Sequence, residues 1–291
     1  MNVTAYGQTD IGLIRKTNED AFVIADLTGG KLVKEQTVVR FKVGEHGVLL
    51  AVSDGMGGAR AGEVASALVI ESMRRSMTLP PSTEPNNAIV EQAAEKANRE
   101  VWSAARQPGR KGMGATLTAL HIQGTAVHIA EVGDSRAYVL RGGTLVQVTH
   151  DQSYVQHLVD SGALTPEEAG TSPLRNVILQ AMGLKPEVSV ALGRLELRQH
   201  DCFLLCSDGL SNSVSAEEMR QVMLTATHMD GACATLIELA KQRGGDDNIT
   251  VLIGGVTGDL PLLVTGETIA ESLQILQEPP LAVLAAPVVP A

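Results

Sequence analysis

The chain has 291 residues, 44% of them apolar, enough for a real core in one large domain or two modest ones. A formal net charge of −10 argues against a nonspecific binder of nucleic acid or of an anionic membrane. An aromatic content of only 2% leaves no platforms for stacking single-stranded nucleic acid, so the core is built from Val, Leu, Ile, Ala and Met.

The opening stretch MNVTAYGQTD has no cationic region and no apolar region, so no signal peptide is expected. Strands are predicted at DAFVIADL, TVVRFKV and GVLLAVSD, between residues 20 and 54, with turns at Gly29-Gly30 and between Gly44 and Gly47. Two helices follow. One spans about residues 62–77, with Val64, Leu68 and Val69 on one face. The other carries Ile89, Ala93, Ala97 and Val101 at fourfold spacing. The Pro-rich LPPSTEPN joins them. Strands resume at ATLTALHI, TAVHIAEVGD, SRAYVLRG and TLVQVTH, the last two joined by a hairpin turn at RGGT.

Residues 152–185 break into short helical stretches with Pro and Gly punctuation. EVSVALGRLEL and DCFLLCSD read as further strands. The even spacing of Cys202 and Cys206 puts both on one face as core thiols; with Cys233 they make neither a disulfide framework nor a zinc set. A helix over about 215–242 and a strand at NITVLIGGV complete the series. This order is not the alternation of a parallel sheet. It predicts an α+β domain of antiparallel sheets packed on each other with helices outside. Residues 258–291 differ in composition, being apolar with Pro pairs. They are read as an extension of a domain at 1–257, with one short amphipathic helix expected at 266–277. No run of about 18 apolar residues predicts a membrane span, and a cytoplasmic location is the expectation.

Acidic residues recur beside glycine at strand ends. Glu19 and Asp20 lie in RKTNEDAF, Asp54 in AVSDGMGG, Asp134 in AEVGDSRAY, Asp208 in LLCSDGL, and Asp246 and Asp247 in GGDDNITV. Taken singly, each is as well explained as a turn or cap. Together, carboxylates gathered at one end of a sheet repel strongly unless cations neutralise them. An oxygen-only ligand set suits Mg²⁺ or Mn²⁺.

In order, GLIRKTNEDAF, AVSDGMGGARAGEVAS, GMGATLTAL, EVGDSRAYVLR, LLCSDGLS and GGDDNITVLI resemble the metal-dependent protein serine/threonine phosphatases of the PP2C (PPM) family, the bacterial type above all. The likeness covers residues 5–257. It implies a central antiparallel β-sandwich flanked by helices in four αββα layers. It implies that Asp54 bridges two Mn²⁺ or Mg²⁺ ions. Asp208 and Asp247 would complete the first ion, and Glu19 with the Gly55 carbonyl would hold the second. Asp20 would orient metal-bound water, and Asp134 with Asp208 would hold a third, weaker ion. Arg15 matches the family's phosphate-gripping arginine. The reaction implied is attack on phosphoserine or phosphothreonine by a water that two metals activate. The implied partners are phosphorylated proteins, either serine/threonine kinases or their substrates, with the enzyme a monomer.

Some positions depart from the family pattern. Bacterial members often carry His where Ala59 stands, and DHS is here DQS, with Gln152. A histidine general acid is therefore in doubt, and His150 and His157 read as surface or packing residues. Residues 152–185 resemble the family's flap. These departures and the apolar tail keep open an alternative: a phosphatase-fold binding or regulatory protein with weak catalysis.

Overall fold

The computed structural model describes residues 1–57, 61–78 and 86–280. Ala59, all but the last residue of LPPSTEPN and the tail after residue 280 lie outside the described residues.

Strand β1 (Asn2–Asp10) opens the chain, and sequence reasoning missed it. Its alternating apolar residues, Val3 and Ala5, are too few beside Thr, Gly and Gln to mark a strand on their own. Backbone pairing on both sides holds it, with residues 249–257 along its whole length and with residues 39–42. Next come β2 (Asp20–Asp26), β3 (Leu32–Val33), β4 (Val39–Lys42) and β5 (Val48–Met56). Helices α1 (Ala61–Met77) and α2 (Asn86–Ala105) follow as expected. Then come β6 (Gly114–Ala115), β7 (Leu117–Gln123), β8 (Ala126–Val132), β9 (Arg136–Arg141) and β10 (Thr144–Gln147).

The 152–185 region holds α3 (Tyr154–Asp160) and α4 (Pro166–Thr171). Ser153 caps the first; Thr165 and Glu168 form a reciprocal capping box on the second, with Pro166 opening the helix. Beyond them lie β11 (Ala191–Glu196), β12 (Cys202–Cys206) and the single turn α5 (Asp208–Ser211). The helix expected over 215–242 is two, α6 (Ala216–Thr225) and α7 (Met229–Gln242). They are separated where Ala226 turns extended. Strand β13 (Ile249–Thr257) closes the domain core.

Every strand pairing is antiparallel. One sheet runs β10-β9-β12-β13-β1-β4. The other includes β11-β8-β7-β5-β2-β3, with β6 added to β5. Period-two alternation sorts side chains into three cores. Phe22, Ile24, Leu50 and Val52 meet Val3, Phe203, Leu205 and Leu252 between the sheets. Their neighbours Val23, Ala25, Leu49 and Ala51 face Val69 and Met73 of α1 and Ala97 and Val101 of α2. On the far side Leu204, Cys206, Val251 and Ile253 face Leu236, Ile237 and Ala240 of α7. The result is the expected four-layer αββα sandwich. Cys206 and Cys233 are core thiols, while Cys202 keeps some surface.

The expected helix at 266–277 is a correction. Only Ile269–Ser272 is helical (α8), and Leu273–Gln277 forms β14, antiparallel to β11. The unpaired edge of β11 outweighs the weak local helical pattern. This returning segment is tied down by Arg141. Its guanidinium donates to Asp201 at 2.8 and 2.7 Å and to the hydroxyl of Ser272, and the Arg141 and Asp201 side chains are 3% and 0% exposed. Among the described residues no helix is long and apolar enough to cross a membrane.

Removing one partner of such a pair strands a buried charge. Arg141→Met is expected to lower stability by about 3–5 kcal/mol in urea denaturation.

Candidate active site

Strand register assembles the acidic residues. Asp20, at the start of β2, lies opposite Asp54, near the end of β5. Cys206 lies opposite Val251, which brings Asp208 and Asp247 together where β12 ends and β13 begins. The two sheets are latched at this end. The hydroxyls of Ser207 and Thr250, from one sheet, donate to Asp20 Oδ2, on the other, at 2.7 and 2.6 Å. Asp54 is held through its backbone: its N–H donates to Thr116 Oγ1 at 2.9 Å, and its carbonyl accepts from the Thr116 N–H at 2.8 Å. The Thr116 hydroxyl shares a 2.7 Å hydrogen bond with that of Ser135, the neighbour of Asp134.

Asn248 organises the loop before β2. It accepts from the Glu19 N–H at 2.8 Å and donates to the carbonyls of Ile11 and Thr17, both at 3.0 Å. That loop carries Arg15 to the rim, where its side chain is 52% exposed and forms a 2.7 Å ion pair with Asp247. Glycine is required at two places. A Cβ on Gly55 would lie 2.1 Å from the Gly62 carbonyl oxygen and 2.6 Å from that of Glu19. One on Gly62 would lie 2.4 Å from Glu19 Oε2. The glycine-rich segment thus lets β5, the Glu19 backbone and the start of α1 close on one another.

The electrostatics are those of crowded acids. Asp54 is pushed well above the usual carboxylate range, by loss of solvent first and then by the charges of Asp20, Asp208, Asp247 and Asp134. Asp20 rises to about 7, mainly through desolvation, with Asp208 and Asp247 adding to it against the hydroxyl donors. Asp208 rises to about 6, by desolvation and the Asp247 charge. Asp134 is pushed well up by desolvation and by Asp208 and Asp151, and Glu19 moves the same way as it loses solvent. Asp20 Oδ1 and Asp208 Oδ1 are buried with no hydrogen-bond partner.

Among the described residues no three Asp, Glu, His or Cys side chains close into a tight cage. Mutual repulsion keeps such carboxylates apart. The oxygen-only donor set and the two orphaned oxygens fit a hard divalent cation.

All the residues expected at the site are at this one end. Asp134 lines a cleft of about 300 Å³ together with Asp208, Arg136, Asp151, Arg175 and Asn212, beside α3 and α4. Asp246 is exposed. Sequence reasoning missed Ser207, Thr250, Asn248 and Asn212, whose Nδ2 donates to Asp208 Oδ2 at 3.1 Å. Each lies within four residues of a flagged aspartate, which was the available signal. It also missed the Arg136–Asp151 pair, with contacts of 2.6 to 2.9 Å. Gln152 is structural: its Oε1 accepts from the Gly133 N–H and from Gln180, both at 2.9 Å. His150 pairs with Asp160 at 2.8 Å, and it lines a different cavity along with His157.

A twin-sheet sandwich with carboxylates converging at one end and an arginine at the rim belongs to the metal-dependent phosphatases. Residues 35–242 match the family model described as protein phosphatase 2C, and the chain belongs to that family. It is 38% identical over 253 residues to the serine/threonine protein phosphatase PstP of Mycobacterium tuberculosis, a match covering 86% of this chain and 44% of that one. The chain thus spans less than half the length of that relative. It is 34% identical to the serine/threonine phosphatase stp of Listeria welshimeri, covering 84% of this chain and 93% of that one. The structure is similar to the catalytic domain of PstP in complex with two manganese ions, with a TM-score of 0.73 and 35% identity. That likeness covers 89% of this chain and 100% of that one.

The raised carboxyls set a pH dependence for the metal-stripped protein. Folded, Asp20 and Asp208 hold protons up to about 7 and 6, whereas the unfolded chain releases them near 3.8. The folded state binds more protons in that window, so stability falls as pH rises through it. In chelator, melting is expected to be lower at about pH 8 than at about pH 5. Asp54→Asn is expected to recover about 2–4 °C per kcal/mol of repulsion relieved, read by thermal melts.

Proposed function

We propose that this chain is a metal-dependent protein serine/threonine phosphatase that hydrolyses phosphoserine and phosphothreonine. The observation that carries the reading is the convergence of Asp20, Asp54 and Asp208 at one sheet end, with a buried, unpartnered oxygen on Asp20 and another on Asp208. Asp54, Asp208, Asp247, Glu19 and the Gly55 carbonyl would hold two Mn²⁺ or Mg²⁺ ions, and Asp134 with Asp208 would hold a third, weaker one. When bound, these ions supply the Lewis acidity that makes water a nucleophile near neutral pH.

The chain's own groups do the rest. Asp20, gripped on Oδ2 by Ser207 and Thr250, keeps Oδ1 free to accept from the attacking water. Arg15 exchanges its Asp247 contact for two phosphoryl oxygens, which its planar fork matches. In doing so it frees Asp247 for metal. The α3–α4 region forms the flap beside the cleft. The substrates are phosphoproteins made by serine/threonine kinases, or the kinases themselves. The chain acts as a monomer in the cytoplasm, with residues 1–257 the phosphatase domain and 258–291 its extension.

Hydrolysis of p-nitrophenyl phosphate and of a phosphothreonine peptide tests this. Turnover is expected with Mn²⁺ or Mg²⁺, to vanish in EDTA and to vanish in Asp208→Asn. A folded, metal-loaded protein without turnover would overturn the reading. Arg15→Ala is expected to lower kcat/KM for the peptide by about 10- to 100-fold, the worth of a charged hydrogen-bonded contact.

A further inference from the structure

A second cavity, of about 590 Å³, lies behind the acidic cleft, between β8, β11, the returning strand β14 and residues 147–153. Its apolar wall includes Ile129, Leu192, Leu273 and Ile275, and its acidic groups include Glu131 and Glu278. Among the described residues no Lys or Arg lines it. Asp151 is already answered by Arg136, and Asp160 by His150. Glu131 is not answered. It is 1% exposed, its Oε2 accepts from the His150 N–H at 2.8 Å, the Thr149 hydroxyl also supports its charged form, and its Oε1 is buried without a partner. Loss of solvent and the charges of Asp151 and Asp134 push its carboxyl well above the usual range, and a cationic donor at the open oxygen would restore its charged form.

We infer that this cavity is a binding site for a small molecule with an apolar body and one ammonium or guanidinium group, which pairs with Glu131. The apolar wall takes the body, and charge complementarity selects the head. The chain that lines the cavity at Asp151 and Ser153 also lines the cleft beside Asp134. The occupant is therefore separated from the acidic site by one thickness of backbone. This site is independent of the catalytic reading.

The test is calorimetric titration of the full chain with phenethylamine, against phenethyl alcohol as the uncharged control. Saturating Mn²⁺ is present so that the carboxylates around Asp54 are not the amine's target. The amine is expected to bind with a Kd of about 1 mM or below, a modest efficiency for so small a molecule. Glu131→Gln is expected to weaken the amine about tenfold while leaving the alcohol unchanged. Ile275→Trp, on the partly exposed strand β14, is expected to block both by filling the cavity. Equal binding of amine and alcohol, unchanged amine binding in folded Glu131→Gln, or no binding of the amine to the folded protein at millimolar concentration would overturn the proposal.

Discussion

The mutual repulsion of carboxylates at one end of the sandwich is the constraint around which the rest of the molecule is arranged. Asp54 is raised by desolvation and by four neighbouring acids. Left to itself, such a cluster opposes folding. Its position is held by strong ordinary forces: two sheets with continuous pairing, three apolar cores and the hydroxyl latch on Asp20. The strain stays local because the structure around it is over-determined. On the proposed reading, divalent cations would convert the same repulsion into binding energy.

A second level of control comes from uncharged groups. Asn248 fixes the loop that carries Glu19 and Arg15, and Thr116 fixes the backbone at Asp54 and touches Ser135 beside Asp134. Gly55 and Gly62 remove side chains where three backbone segments converge. None of these groups needs to bear charge, yet each sets where a charged group can stand.

Much of this was legible in the sequence. The strands at FVIAD and VLLAV were legible as continuous apolar runs, and in the fold period two divides their side chains between two cores. The acidic positions were legible because each follows or precedes an apolar run beside glycine. What was not legible depended on distant partners. β1 is a strand only because β4 and β13 flank it, and residues 273–277 are a strand only because the edge of β11 is open. The break between α6 and α7 and the roles of Ser207, Thr250 and Asn248 likewise come from tertiary contact, which no local pattern encodes. Gln152, where histidine was looked for, proved a backbone anchor, so the departure there bears on loop geometry before chemistry.

The pairing of Asp20 with Asp54 across β2 and β5 has a further consequence. A slip of one residue between these strands would send one of the two carboxylates to the opposite face, into the apolar layer beneath the helices. A mispaired chain therefore loses the facing pair at the centre of the cluster. On the proposed reading, cation affinity would act as a proofreader of register: metal would reward the conformer whose strands are correctly aligned over its near misses.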